Sequence, residues 1–473
     1  MFSALLTARC GQSIGPQQNP ASPVTLTVGI GQLAASSDIA GVQQLKQILS
    51  SEGLINFSED GRPRPALAES WTLSSNRLLL TIRLRSNAKF HDGTPVDAPT
   101  VAAILRSNLP GWMGSAFEDI DVINATSNLE IRMMLRRPSQ LLIEALDSQI
   151  RKPGGWGTGP FKSVDSEKSE LVANDSYYLG RPKIDKIIVQ RYPSVRAAWA
   201  EMLRNHIDML YEVGLDALES LTGATDVSVF TFVRHYQVLL IFNTDLSMFR
   251  EAMIRRAFNQ AINRDDVIAG GLNGHGLPSA GLVWPNHWAF QTDKATPSFD
   301  SRKASATLRP RKIKFVCLVP PELERTALVL KRQLEAVGVE MNLRETSLEN
   351  LDSVLLKGEF DAVLTEFISG PSLFRVYRLW HSQGLLQGHV GNGHLDDALD
   401  RIRFSTSDDE YQIAVRGFQE AVVQDPPAIF LAWSERARAV NRRFDVQVEP
   451  GRDILTTLRL WRPTNDFQSV GRN

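Results

Sequence analysis

Several short segments of the chain carry an apolar residue at every second position. Residues 24–30, 78–84 and 129–135 show this period of two, which is typical of strands with one buried face. The middle segment is followed by the turn sequence HDGTP at residues 91–95 and then by Asp97, whose side chain is suited to capping a helix. The pattern therefore predicts a strand, a tight turn and a helix that continues to about residue 105.

The hydrophobic pattern changes between residues 312 and 366. Residues 313–318, 339–343 and 360–366 are predicted strands, and the stretches between them carry apolar residues at helical spacings of three and four. Strands that alternate with helices predict a parallel sheet covered by helices. Residues 238–242 form a continuous apolar run that predicts one further, short buried strand.

Length and charge narrow the class of protein. A chain of 473 residues is too long for one small core, so two or three domains are expected. The 52 basic and 53 acidic residues give a net charge of −1, without the basic surplus of a nucleic-acid binder. No apolar run approaches the ~20 residues that span a bilayer. We therefore expect no nucleic-acid partner and no membrane-spanning segment.

The two cysteines suggest different roles. Cys317 lies in an apolar run and is expected to be a buried strand residue, so no disulfide framework is predicted. Cys10 precedes a polar segment rich in glycine, proline and glutamine, as the lipidated cysteine of a bacterial lipoprotein does. The segment before it is short for a signal peptide, and Arg9 replaces the small residue expected there. Residues 1–23 are thus interpreted as a signal remnant with a lipoprotein-like tether, or alternatively as an unmodified tail.

Sequence motifs for catalysis and cofactor binding are missing. The chain has no G-x-S-x-G elbow, no Walker A loop and no complete G-x-G-x-x-G fingerprint. His381, His389 and His394 are spaced by eight and five residues, which fits no standard zinc pattern. We expect a protein that is not an enzyme and that has neither a cofactor nor a metal site.

Five segments, in order, resemble the motifs of one protein family. The first contains LAESW and KFHDGTP, and the second begins GTGPFKSVD and continues to residue 193. The others lie at residues 198–211, 243–266 and 411–430. Together they resemble the family 5 extracellular solute-binding proteins, which are the oligopeptide-, dipeptide- and nickel-type substrate-binding components of ABC transporters. The resemblance extends over about residues 24–463.

The resemblance implies an α/β, bilobal fold of the periplasmic-binding-protein type, in its large three-domain type II variant, with a hinge between the lobes. Lobe one is mapped to residues 24–240 plus 447–473, with residues 58–155 as its subsidiary domain. Lobe two is mapped to residues 241–446.

In such folds a ligand binds between the lobes, at loops that follow strands. Aromatic residues there can cover apolar parts of a ligand, although core packing is the alternative for each of them. The residues predicted to line the site are Gly31, Gln32, Trp156, Tyr236, Gln237, Phe367, Ser369, Arg375 and Trp433.

One departure from the family bears on the ligand. Peptide-binding members carry an acidic residue after the strand equivalent to residues 360–366, where it pairs with the α-ammonium group of the ligand. Here no aspartate lies between Glu366 and His381, and the segment carries Arg375 and Arg378 instead. Glu366 can substitute if it points inward, and Arg375 can pair with a ligand anion. The alternative is that both arginines are solvated helix residues.

The predicted function is that of an extracytoplasmic, periplasmic substrate-binding protein of an ABC importer. It would capture a peptide-like or other polar solute between two lobes and deliver it to the transmembrane permease subunits. We expect a monomer, with a candidate lipid anchor at Cys10. The alternative is a cytoplasmic ligand-sensing module of the same fold.

Overall fold

A computed structural model describes residues 23–31, 38–163, 169–214, 218–292, 299–386, 389 and 393–464. The strands of this part of the chain are β1 Thr25–Gly31, β2 Ile55–Phe57, β3 Pro63–Pro65, β4 Ala68–Leu73, β5 Leu79–Leu84, β6 Ile120–Ala125, β7 Glu130–Leu135, β8 Phe161–Ser163, β9 Glu170–Ala173, β10 Lys186–Tyr192, β11 Met209–Leu210, β12 Val227–Phe242, β13 Gly276–Pro278, β14 Lys314–Val319, β15 Glu340–Glu345, β16 Ala362–Ile368, β17 Ala428–Asn441, β18 Phe444–Asp445 and β19 Arg462–Pro463.

The α-helices of the described residues are α1 Asp38–Ser50, α2 Ala98–Met113, α3 Leu141–Ala145, α4 Val195–Leu203, α5 Leu218–Thr222, α6 Ser247–Arg250, α7 Ala252–Ala261, α8 Arg264–Gly271, α9 Ser301–Leu308, α10 Glu324–Ala336, α11 Leu348–Lys357, α12 Leu373–Trp380, α13 Gly393–Arg403 and α14 Asp408–Gln424.

The largest sheet extends through both predicted lobes. Its strands lie in the order β15-β14-β16-β12-β17-β11-β1-β10-β9-β8, and β13 pairs with β17 outside that path. β1 runs parallel to β10 and β11, whereas the long strands β12 and β17 form an antiparallel pair in the middle of the sheet. Through β12 and β17 the chain therefore passes from one half of the sheet to the other.

The ladder between β12 and β17 is irregular at its centre. Pairing stops at Val233 and resumes at Gln237, so that residues 234–236 lie outside the described ladder with β17. An irregularity of this kind increases the local twist and redirects side chains. The predicted short strand at residues 238–242 was too short, because the polar residues before it hid the continuation of β12 back to Val227.

The predicted βαβαβ unit is confirmed. β14 runs parallel to both β15 and β16, and α10 and α11 lie between these strands along the chain. The predicted strand, turn and helix near residue 90 are also confirmed. Gly93 has a positive φ of 85°, and Asp97 Oδ1 accepts a hydrogen bond of 2.8 Å from the backbone N–H of Thr100 at the start of α2.

A second, antiparallel sheet has the strand order β4-β5-β7-β6 and packs with α2. Its core is continuous with residues of predicted lobe two, because one hydrophobic cluster contains both Leu105 of α2 and Trp380 of α12. The rings of Trp112 and Phe374 lie 5.7 Å apart at this boundary. The segment at residues 58–155 therefore packs against α12. The residue boundaries of the lobes stay a prediction.

Two buried carboxylate groups form hydrogen bonds across the same boundary. Glu144 accepts hydrogen bonds from Ser372 Oγ at 2.7 Å and from the backbone N–H of Phe374 at 2.9 Å. Asp119, which is fully buried, accepts two bonds of 2.7 Å from the guanidinium group of Arg403 on α13. Polar contacts thus fix the orientation of the two segments, because a buried carboxylate that lost these donors would be costly.

Candidate functional site

A cleft with a volume of about 540 Å³ lies beside the irregular centre of β12. Its walls come from α1 and the loop after it, from β12 and β17, and from the residues between β16 and α12. A cavity of this size suits a small-molecule or short-peptide ligand. The charged side chains that line it are Glu52, Asp147, Glu212, Arg234, Arg375, Arg436, Arg438, Arg452 and Asp453.

The irregular segment of β12 supplies one wall of the cleft. Arg234 lies over the ring of Tyr236, with 3.8 Å between the guanidinium carbon and the ring centroid. The carboxylate of Glu366 is 3.8 Å from Arg234. The stacked pair presents a flat surface with both apolar and cationic character.

Arg436 on β17 completes a four-residue charge cluster. Its guanidinium group lies 3.2 Å from Glu212 and 3.2 Å from Glu366. Although burial acts to raise the pKa of Glu366, Arg436 and Arg234 hold that pKa below its usual value. Glu366 is therefore an ionised, ion-paired group that does not line the cleft itself.

Arg438 lies two residues further along β17 and is paired with Asp453, with nitrogen–oxygen distances of 2.6 and 2.5 Å. The ring of Tyr211 lies 4.4 Å from its guanidinium carbon. At the rim, Arg452 pairs with Glu449 at 2.8 Å. These arginines have counter-charges within the protein.

Arg375 on α12 pairs at 2.6 Å with Asp147, which belongs to the segment at residues 58–155. Burial raises the pKa of Asp147, and Arg375 opposes that rise. The sequence left two interpretations of Arg375, a partner for a ligand anion and a solvated helix residue. The structure favours neither of them alone, because the side chain lines the cleft and is already ion-paired with Asp147.

Replacing Arg375 with alanine should lower the free energy of unfolding by about 1–2 kcal/mol, because Asp147 would lose its counter-charge. The loss is smaller than for a fully buried pair, because 27% of the Arg375 side chain is exposed. Arg378→Ala is the matched control, since Arg378 lies 4.6 Å over the Trp112 ring without an ion pair to Asp147 in the described structure. Urea unfolding measures both variants, and equal losses would contradict the proposed role of the pair.

His235 is an uncharged imidazole at the cleft. Its ring packs edge-on against Trp284 at 4.8 Å, and burial, with Arg452 and Arg375 nearby, lowers its pKa to about 4. Among the described residues its Nε2 atom has no hydrogen-bond partner. A neutral imidazole nitrogen in this position can form one hydrogen bond with a ligand, as donor or acceptor according to its tautomer.

Glu52, just after α1, also lines the cleft. Its Oε1 atom accepts hydrogen bonds from the hydroxyls of Tyr177 at 2.7 Å and Tyr178 at 3.0 Å. Its Oε2 atom accepts one from Thr158 Oγ1 at 3.2 Å. Burial raises the pKa of Glu52 to about 7, although the three hydroxyls act in the opposite direction.

Two of the nine residues predicted from the sequence, Tyr236 and Arg375, line the cleft. Gly31 ends β1, where the backbone of Val195 lies against it. Trp156 is 42% exposed and is not among the residues that line the cleft. Gln32 and the candidate lipidation site Cys10 lie outside the described residues.

The other four predicted residues belong to the central sheet or its immediate continuation. Gln237, Ser369 and Trp433 are buried, and Phe367 packs against the hydrophobic core. The amide of Gln237 donates a bond of 2.5 Å to the carbonyl of Gly281. These side chains contact protein in this structure, and a ligand role for any of them stays a prediction.

Sequence reasoning missed most of the charged lining. Arg436 and Arg438 are two residues apart in strand β17, which is apolar before Ser434, so both point to the same face. That spacing was an available signal for a polar surface in the sheet. Glu52 and Asp147 carried no comparable signal, because each lies in a short connecting segment.

The histidine-rich stretch also has protein partners. His389 Nδ1 lies 2.7 Å from Asp245, and His381 Nε2 lies 3.8 Å from Asp400. Within the described ranges, no group of three histidine, cysteine, aspartate or glutamate side chains is arranged to hold a metal ion. None of the helices in that part of the chain is both long and apolar enough to cross a membrane.

Comparison with known proteins gives consistent matches. The family model described as "Bacterial extracellular solute-binding proteins, family 5 Middle" matches residues 62–384. The probable D,D-dipeptide-binding periplasmic protein of Escherichia coli K12 is 23% identical, over 83% of this chain and 84% of that protein.

Solved structures share the fold. The protein NikZ of Campylobacter jejuni, in complex with Ni(L-His), has a TM-score of 0.79 at 20% identity, covering 93% of this chain and 99% of that one. A periplasmic binding protein of Helicobacter pylori in complex with the peptide STSA has a TM-score of 0.78 at 19% identity, covering 93% and 98%. The predicted bilobal α/β fold is confirmed.

Proposed function

The chain belongs to the bacterial extracellular solute-binding proteins of family 5, and from this we propose that its cleft captures a peptide-like or other polar solute for an ABC permease. The family resemblance found in the sequence and the role of substrate-binding protein for an ABC importer are confirmed by this membership. Two of the relatives compared are named as binding proteins, and we extend this to a cleft that binds its solute without converting it.

One observation carries the proposal on the ligand. The cleft is lined by charged side chains on every wall, and it lies where β12 and β17 pass between the two halves of the central sheet. Closing the two halves around a solute would remove it from water while satisfying its polar groups. A related protein binds a peptide and another binds a nickel–histidine chelate, so the fold accommodates ligands of both kinds.

Thermal-shift screening of the full chain tests this function. The set contains di- to pentapeptides, opines, sugars and Ni(II) with L-histidine, each also tested on lysozyme as an unrelated control. We expect at least one class to raise the melting temperature in a concentration-dependent way, because a ligand that binds only the folded state stabilises it. A flat response across all classes would contradict the proposed binding role.

We further propose that the protein acts outside the cytoplasm and is anchored through a lipid on Cys10. Periplasmic relatives support the location, and the polar segment after Cys10 supports the anchor. Fractionation of the native host, with intact-mass measurement of the product, tests both. A cytoplasmic pool would favour the ligand-sensing alternative, and a mass without a diacylglyceryl group would exclude the anchor.

A further inference from the structure

The charges that line the cleft are almost completely compensated within the protein. Every arginine of the lining has a carboxylate at 3.8 Å or less, and Asp147, Glu212 and Asp453 each have an arginine partner. Glu52 is different, because no arginine or lysine of the described residues lies in ion-pair contact with it. The more distant Arg459 lowers its pKa by charge interaction.

The hydrogen bonds of Glu52 leave one acceptor position open. A carboxylate offers about four lone-pair positions, and the hydroxyls of Tyr177, Tyr178 and Thr158 occupy two on Oε1 and one on Oε2. The residue lines the cleft and is only partly buried there. A donor that enters the cleft can therefore complete the hydrogen bonding of Oε2.

We propose that Glu52 binds a cationic group of the ligand, such as a protonated amine or a guanidinium group. This inference rests on the proposed function and specifies the substrate class of the same cleft. It places the ligand cation on α1's side of the cleft, rather than on the segment after β16, where the peptide-binding members carry their acidic residue. Glu366 is not available for that task, because Arg436 and Ser434 already contact it.

The surroundings of Glu52 explain why a cation would bind strongly. Burial raises the pKa of Glu52 to about 7, and it also raises the pKa values of Tyr177 and Tyr178, which therefore remain neutral donors. The nearby cations are Arg459, Arg85 over the Tyr178 ring at 5.2 Å, and Arg151, which donates to Ser51. A ligand cation would supply the direct counter-charge that none of these arginines provides.

Matched ligands test the inference on the unmodified protein. The probes are trialanine and N-acetyl-trialanine, glucosamine and N-acetylglucosamine, and N-acetylarginine and N-acetylcitrulline, so that only one member of each pair carries a cationic group. Calorimetric titration should give at least about tenfold tighter binding for the cationic member of a pair that binds. Equal affinity within a pair, or tight binding only of the members that lack the cationic group, would overturn the inference and leave the proposed function standing. If none of the six probes, and no compound of the thermal-shift set, were bound, the proposed function itself would fail.

A variant separates a ligand contact from a merely structural role. Glu52→Gln keeps a carbonyl oxygen that can accept from the tyrosine hydroxyls, but it removes the charge. In this variant the two members of a pair should bind with about equal affinity. Glu69→Gln is the matched control, since Glu69 is exposed and pairs only with Arg83 at 3.3 Å in the described structure. A preference that survives in Glu52→Gln would refute the contact.

The pH dependence provides a test that does not require the variant to fold. Because the ionised form of Glu52 would bind the cation, affinity should fall by about twentyfold from pH 7.5 to pH 5.5 if only that form binds. The guanidinium group of the N-acetylarginine probe stays protonated across this range, whereas α-amino groups, with pKa values of about 7.7–8.0, are partly neutral at pH 7.5, so the guanidinium pair is the one measured. His235, with a pKa of about 4, stays neutral. The members of the pairs that lack the cationic group should show a smaller change. A flat profile for the cationic member would overturn the proposal.

Discussion

Replacing Asp119 with alanine is expected to lower the free energy of unfolding by about 3–5 kcal/mol. Asp119 is fully buried and accepts two hydrogen bonds of 2.7 Å from Arg403, which is itself only 5% exposed. Without the carboxylate, the guanidinium group of Arg403 would keep the hydroxyl of Tyr377 and the carbonyl of Ser115 at 3.3 Å, with the more distant Asp400 at 3.7 Å as its remaining counter-charge. Desolvation of an under-compensated charge is the physical cause of the loss.

Urea unfolding with fluorescence detection measures this loss. Asp121→Ala is the matched control, because Asp121 is exposed and its pair with Arg136 at 3.3 Å should contribute less than about 1 kcal/mol. The bonds of Asp119 join the segment at residues 58–155 to α13 in predicted lobe two. Similar stabilities of the two variants would show that this contact does not hold the segments together.

Replacing Gly31 with alanine is expected to destabilise the protein by about 3 kcal/mol, the upper part of the usual range for overpacking. A Cβ atom at this position would overlap the backbone of Ser194 and Val195 at the start of α4. Backbone atoms cannot rotate away, so β1 or α4 would have to move. The glycine thus allows a close approach of strand and helix, which explains the residue type without any ligand.

Gly417→Ala is the matched control for this experiment, since Gly417 lies within α14 and a Cβ atom there would meet no atom within 4 Å. That change should stabilise the helix by about 0.5–1 kcal/mol, because alanine has the higher helix propensity. Thermal unfolding of both variants gives the comparison. A Gly31→Ala protein as stable as the parent would contradict the packing explanation.

Local patterns determined the elements of this protein to a large extent. The βαβαβ unit at residues 312–366 was predictable because amphipathic periods and terminating glycines are encoded within a few residues of each other. Asp97 was predictable as a helix cap for the same reason. The ordered motifs then identified the family, and with it the bilobal fold and the transport role.

The extent of β12 shows where local reasoning fell short. Residues 234–237 interrupt the apolar pattern, since three of them leave the ladder with β17 and face the cleft instead. The polarity that obscured the strand is therefore a property of the site. At these positions polar residues of a functional surface replace the apolar residues from which a strand is predicted. The sequence alone does not show which of the two causes the polarity.

The chemistry of the cleft was decided by tertiary structure. Glu52 meets Tyr177 and Tyr178 across 125 and 126 residues of chain, and Arg375 meets Asp147 across 228. No periodicity encodes such pairings, because they depend on how the tertiary fold brings distant segments together. By itself the sequence determined the family, the secondary structure and the general role. Only the fold decided which charges neutralise one another, since Coulomb interactions depend on distance in space and not on separation along the chain.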